Sequence, residues 1–321
     1  MENLENNKVI NIVEKVNEEL RKVIVEQDEM IEQCIISLIS GGHVLIEGVP
    51  GLAKTLMIKA LSRTLSLDFK RIQFTPDLMP ADVTGTKIFN MQTREFELTK
   101  GPVFTNFLLA DEINRTPPKT QAGLLEAMAE KTVSIDGEMI ELPNPYMVFA
   151  TQNPLEYEGT YPLPEALVDR FLIKIVIDYP SMQAEKEVLK RHNNGFSSID
   201  LDKAGVRALF SAEDILKARE EVQRVQIEDA LMDYIVNIIA ETRNNPTIDI
   251  GSSPRGSIAL LQCAKGAAAY SGRDYVIPED IKKMAIPVLR HRIILKPELE
   301  LEGVKADQVL QDILSKVKVP R

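Results

Sequence analysis

The sequence predicts an α/β fold in two parts: a core built on a parallel sheet, followed by a smaller domain made only of helices. Three observations carry that expectation. Short apolar runs recur at Val44-Leu45-Ile46, Phe107-Leu108-Leu109, Met147-Val148-Phe149-Ala150 and Phe171-Leu172-Ile173, separated by helical or hairpin sequence, which is the rhythm of buried parallel strands. A glycine-containing turn at residues 48–55 leads from the first run into a helix. After Tyr179-Pro180-Ser181 the strand-like runs stop. The expected division is a core at 1–180 and a helical domain at 181–321, and a chain of 321 residues suits one large domain with one small one.

Residues 10–39 carry helix-spaced apolar positions, interrupted at Val23-Ile24-Val25, ahead of the first strand. Inside the core, two segments look inserted. Residues 84–104 hold two short strand-like pieces, 86–90 and 95–98, around the polar Gln92-Thr93-Arg94, which predicts a hairpin. Residues 132–142 predict a second hairpin. Val133 and Ile135 alternate with polar residues, Asp136-Gly137 is a strong two-residue turn, and Met139, Ile140 and Leu142 follow. Either hairpin could cover a sheet edge or carry function. In the second part, helical patterns fall at 182–192, 212–223, 229–243, 255–270 and 279–289. Ser211 and Asp214 have capping-box spacing, Pro278 before Glu279-Asp280 suits a first helical turn, and Leu231, Ile235, Ile238 and Ile239 form one apolar stripe.

Composition narrows the function classes. Hydrophobic residues make up 44% of the chain, yet no apolar stretch approaches the roughly 20 residues that a membrane span needs. The N-terminal segment is polar and acidic, unlike a signal or transit peptide, so a cytoplasmic protein is expected. Cys34 and Cys263 lie far apart in apolar helical settings and read as packing residues. His43, His192 and His291 lack metal-ligand spacing, so any metal should arrive with nucleotide. A net charge of −10 argues against a surface coated in nucleic acid.

The chemistry concentrates in three places. Gly48-Val49-Pro50-Gly51-Leu52-Ala53-Lys54-Thr55, with Leu56 next in the helix, follows a strand, the context in which backbone amides surround phosphate oxygens. Lys54 is placed to reach the β and γ phosphates of ATP, and Thr55 to offer its hydroxyl to Mg²⁺. The motif's second glycine is here Ala53. Phe107-Leu108-Leu109-Ala110-Asp111-Glu112 is an apolar strand ending in two acids. Asp111 suits Mg²⁺ through water, while Glu112 suits the orientation and polarisation of an attacking water. Asn153, after the strand at 147–150, could position that water or sense the γ-phosphate, or simply shape an Asn-Pro turn. Arg170 precedes the next strand and Arg255 opens a helix of the second part. Each alone is more often a surface ion-pair residue, but their order after the other motifs changes that weighting.

This ordered set resembles the AAA+ superfamily. The wording Gly-Val-Pro-Gly-Leu-Ala-Lys-Thr, with Asp-Glu-Ile-Asn-Arg-Thr-Pro-Pro-Lys-Thr-Gln-Ala-Gly-Leu-Leu-Glu-Ala-Met, is similar to the MoxR family over residues 23–292. The resemblance implies a P-loop AAA+ core with a helical lid, and alanine at position 53 is usual in that family. It implies Asn153 as sensor 1, Arg170 as an arginine finger acting in a neighbouring subunit, and Arg255 as sensor 2. It also makes 84–104 the helix-2 insert and 132–142 the pre-sensor-1 hairpin. Val23-Ile24-Val25-Glu26-Gln27 resembles the segment lining the adenine pocket, with Val25 against the base and Glu26 where glycine is common. The implied activity is Mg-ATP hydrolysis by a ring of copies, expected as a hexamer, that remodels or matures protein complexes. The implied client carries a von Willebrand factor A domain. A DNA-acting helicase or loader is the alternative, disfavoured by the acidic charge and by an insert whose basic residues are only Lys87, Arg94 and Lys100. A guanine-specifying NKxD, which a GTPase switch would want, is absent from the sequence.

Overall fold

The structure, a computed structural model, describes residues 8–154, 159–197 and 200–320. The polar N-terminal start, residues 1–7, lies outside them. The chain opens with α1 (Lys8–Arg21), whose Val9, Ile12, Val13, Val16 and Leu20 are buried at helical spacing, and α2 (Asp28–Ser40). Between them Glu26 and Gln27 hold left-handed backbone, φ 60° and 72°, so Glu26 takes a conformation that favours glycine. There follow β1 (His43–Glu47), α3 (Lys54–Thr64), β2 (Phe69–Gln73), α4 (Pro80–Thr84), β3 (Gly85–Asn90), β4 (Glu95–Lys100) and β5 (Phe107–Asp111). A short 3₁₀ turn, Ile113–Arg115, leads to α5 (Pro118–Glu130), β6 (Thr132–Ile135), β7 (Glu138–Glu141), β8 (Met147–Gln152), α6 (Glu165–Val168) and β9 (Phe171–Val176).

Five strands make one parallel sheet in the order β2-β5-β8-β1-β9. Side chains alternate across it, as strand geometry requires. Val44, Ile46, Phe107, Leu109, Met147 and Phe149 enter one apolar cluster, and Leu45, Leu108, Ala110, Val148 and Ala150 enter the other. Strands buried on both faces read as continuous apolar runs, which is why β1, β5, β8 and β9 were legible. β2 was not. It lies at the sheet edge, where Lys70 and Arg71 are exposed, so its sequence carries no apolar run.

The inserted segments are the predicted hairpins, β3–β4 and β6–β7, each a separate two-stranded sheet rather than an extension of the main one. Asp136 and Gly137, at φ 50° and 84°, form the turn of the second. Lys87 on β3 pairs with Glu138 on β7 at 2.7 Å, and Ile88, Phe89, Phe96 and Met139 are exposed on the two hairpins.

Helices then dominate: α7 (Met182–Asn193), α8 (Ala212–Arg224), α9 (Asp229–Asn244), α10 (Pro254–Tyr270), α11 (Pro278–Leu289), α12 (Pro297–Leu301) and α13 (Ala306–Lys316), with a small antiparallel pair, β10 (Ile248–Ile250) and β11 (Ile294–Leu295). The Ser211–Asp214 capping box forms as expected, and Leu231, Ile235, Ile238 and Ile239 are buried. These helices do not make a separate core. Leu260, Cys263 and Val288 share one apolar cluster with Cys34 and Ile36 of α2 and with Val44 and Ile46 of β1. α10 lies close enough to α2 that a Cβ on Gly266 would stand 2.3 Å from Ser40 Oγ and 3.1 Å from an Ile36 methyl. That contact seats α10 directly on α2.

Candidate nucleotide site and a separate arginine face

A cavity of about 620 Å³ opens at the C-terminal ends of β1, β5 and β8, the end of a parallel sheet where ligands bind. Its phosphate end is the turn after β1. Gly51 has φ 88° and Ala53 φ 57°, so alanine adopts the left-handed conformation that the motif's usual glycine provides freely. Lys54 Nζ donates to Gly48 O at 2.5 Å. Burial pushes the Lys54 ammonium below its usual pKa, opposed by the nearby Asp111 and Glu112 carboxylates.

The two acids are fixed by neighbours on both adjacent strands. Thr151 of β8 donates its hydroxyl to Asp111 Oδ1 at 2.5 Å and accepts the Glu112 backbone N–H at 2.9 Å. Glu112 itself has φ 55°, which turns the chain sharply at the strand end. Its Oε2 accepts from Gln73 Nε2 at 2.7 Å and pairs with Arg115 Nη1 at 3.0 Å. Arg71 Nη2 lies 2.6 Å from Asp111 Oδ2 and 2.9 Å from Gln73 Oε1.

Most of the residues expected to bind nucleotide meet here. Val25, Pro50, Gly51, Leu52, Ala53, Lys54, Thr55, Leu56, Asp111, Glu112 and Asn153 line the one cavity. Gly48 and Val49 stand behind it: the Gly48 N–H donates to Gln152 O at 3.3 Å, and Val49 packs against the core. Sequence reasoning missed Arg71, Gln73 and Thr151. Residues 71 and 73 alternate along β2, so the signal existed only once that strand and its pairing with β5 were known. It also missed that α7, the helix expected at 182–192, walls the cavity with Val188, Arg191 and His192.

Mg²⁺ prefers hard oxygen ligands, keeps several waters and takes one or two protein groups beside substrate phosphates. Thr55 and Asp111 fit that role, since Asp111 Oδ2 already accepts a cationic group at the cavity wall. Among the described residues no cluster of three His, Cys, Asp or Glu could hold a metal by itself.

Arg170 and Arg255 are not among the described residues that line the cavity. Arg170 precedes β9 at its N-terminal end, where Phe171 pairs with His43, the first residue of β1. Gly48 lies five residues further along, about 16 Å at roughly 3.3 Å per residue. Asp169 organises this second site. Its Oδ1 accepts from Arg292 Nε at 3.0 Å and its Oδ2 pairs with Arg255 Nη1 at 3.4 Å. Arg292 is buried, and its guanidinium also donates to Phe171 O and Leu172 O. Arg255 begins α10 behind the Ser253 cap, so the α10–α2 packing holds it beside Asp169, away from this chain's cavity.

Comparison with known proteins accords with both halves. Residues 43–173 match the family of ATPases associated with various cellular activities, and residues 240–313 match the AAA lid domain. The chain is 47% identical to YeaC of Bacillus subtilis, over 95% of this chain and 94% of that protein. It is 40% identical to Chaperone MoxR1 of Mycobacterium tuberculosis, over 97% of this chain and 83% of that one. A solved structure from Cytophaga hutchinsonii, described as a candidate ATPase, superimposes with a TM-score of 0.90 at 45% identity, covering 99% of this chain and 98% of its own. The chain belongs to the MoxR family of AAA+ ATPases, with an α/β core and a helical lid.

Proposed function

We propose that this chain hydrolyses Mg-ATP within a ring of copies, expected as a hexamer in the cytoplasm, and uses the cycle to remodel or mature protein complexes. The observation that carries the reading is the convergence of Lys54, Asp111 and Glu112 on one cavity, with Arg170 at the far end of the same sheet. Lys54 supplies positive charge to the β and γ phosphates, and Thr55 and Asp111 would hold Mg²⁺, whose charge would offset that building on the transferred phosphoryl group. Glu112 orients the attacking water and draws on its proton, and Asn153 stands at the end of β8 to fix the same water. Arg170 cannot span about 16 Å to its own cavity, so it serves the neighbouring copy. Arg255 is tied to Asp169, the residue before Arg170, and joins Arg170 in that role.

The remodelling assignment follows a relative named as a chaperone and the apolar hairpins, whose exposed Phe89, Phe96 and Met139 suit a protein client more than nucleic acid. By family resemblance that client carries a von Willebrand factor A domain. Glu112→Gln tests the chemistry: ATP binding should persist while turnover falls by at least about 100-fold, as for loss of a positioned general base. Normal turnover in that variant would remove Glu112 from its role.

A further inference from the structure

Arg71 has no part in the ATPase roles above, yet it makes the closest cationic contact to Asp111 in the cavity wall. Both Nε, at 3.0 Å, and Nη2, at 2.6 Å, reach the single oxygen Oδ2. The other oxygen, Oδ1, is taken by the Thr151 hydroxyl. Every oxygen of the carboxylate expected to face the metal thus has a strong donor, and on one of them the donor is a full positive charge. The geometry comes from strand pairing. Arg71 and Gln73 are two residues apart on β2 and so share a face, and Gln73 pairs directly with Asp111 of β5. The two partners differ in exposure: the Asp111 side chain is 15% exposed and that of Arg71 49%. The carboxylate is held in place, while the guanidinium comes from the solvent side and can withdraw.

We propose that Arg71 is a positioning residue that holds Asp111 in a cation-paired form, so that metal engages this carboxylate only by displacing the Arg71 guanidinium. Two Arg71 donors already occupy the lone-pair directions of Oδ2, so a metal or a metal-bound water must displace at least one of them to reach that oxygen, and the two cations repel each other. Arg71 therefore raises the Mg²⁺ concentration at which nucleotide is held, and it keeps Asp111 preorganised when metal is low. The proposal rests on the nucleotide-and-metal reading of the cavity.

The test is equilibrium binding rather than turnover. A fluorescent ADP analogue is titrated with Mg²⁺ against the full chain, its Arg71→Gln and Arg71→Lys variants, and Arg63→Gln as a control that breaks an exposed pair with Asp202. A partly exposed ion pair is a modest competitor, so the Mg²⁺ midpoint should fall about fivefold in Arg71→Gln. Arg71→Lys keeps the charge but loses the two-donor fork, and should fall between. The control should not move. Thermal melting confirms that each variant is folded, and Arg71→Lys keeps the test decisive if Arg71→Gln is not. An unmoved or higher midpoint overturns the proposal. So does weaker nucleotide affinity at saturating Mg²⁺ with an unchanged midpoint, which would make Arg71 a phosphate ligand instead. Wild-type chain that binds no nucleotide would remove the ATPase reading and this inference together, whereas metal-dependent wild-type binding with an unmoved variant removes the inference alone.

Discussion

Two ends of one sheet hold the reactive groups of this chain, and they are built differently. At the C-terminal ends of β1, β5 and β8, the polar side chains bind one another: Thr151 to Asp111, Gln73 to Glu112, Arg71 to Asp111. At the N-terminal end of β9, Arg255 and Arg292 converge on one acid, Asp169, and neither is among the described residues that line the cavity. The first end opens into a cavity of about 620 Å³ that the glycine turn, Lys54 and both acids line together. The second holds its charge beside a different cavity, of about 450 Å³, lined by Asp169, Ser253, His291 and Arg292. Residues that look alike in sequence, a lysine after a glycine turn and an arginine before a strand, thus have opposite relations to the same cavity.

The largest expected effect breaks that comparison or makes it. Arginine fingers in other P-loop enzymes are worth about 10³ to 10⁵ in rate, so Arg170→Ala should lose at least about 10³ in turnover with ATP affinity nearly unchanged. Mixed with Glu112→Gln, it should recover part of the activity, because one variant keeps the cavity and the other keeps the finger. Mixtures that stay inactive while subunits demonstrably exchange would leave Arg170 a surface ion-pair residue. Lys54→Ala should act within one copy instead. Losing a charge-assisted hydrogen bond costs about 1.5 to 3 kcal/mol, so nucleotide affinity should fall about 10- to 100-fold, and mixing should not restore binding to the altered subunit. Nucleotide binding measured on the purified variant, alone and mixed, checks this.

The smallest effect isolates the backbone of the cavity from its charges. Ala53 is exposed and held at φ 57°, so glycine would relieve left-handed strain of about 1 to 2 kcal/mol while loosening the unfolded chain by about 0.4 to 1 kcal/mol. Ala53→Gly should stabilise the protein slightly, by roughly 0.5 to 1 kcal/mol, read by urea unfolding. A loss of stability would show that the alanine methyl, rather than the surrounding fold, supports the turn.

Much of this site was legible because its signals are short. The P-loop, the Asp111-Glu112 strand end, the Asp136-Gly137 hairpin and the Ser211 cap each depend on a few consecutive residues, and local sterics and hydrogen bonds fix them. The polar edge strand was not legible, since Phe69-Lys70-Arg71-Ile72-Gln73 has only one buried position, and Arg71 and Gln73 were lost with it.

The sequence by itself determined the fold class, the nucleotide-binding turn, the paired acids, both hairpins and the helical character of the second part. Only the tertiary structure decided which side chains share a cavity. That depends on the strand order β2-β5-β8-β1-β9, which brings Arg71 and Thr151 each to Asp111 across 40 residues of chain, and on the packing of α10 against α2, which carries Arg255 to Asp169. Such contacts join segments far apart in the chain. No local periodicity records them, because the free energy that selects them comes from burying whole faces of strands and helices against one another.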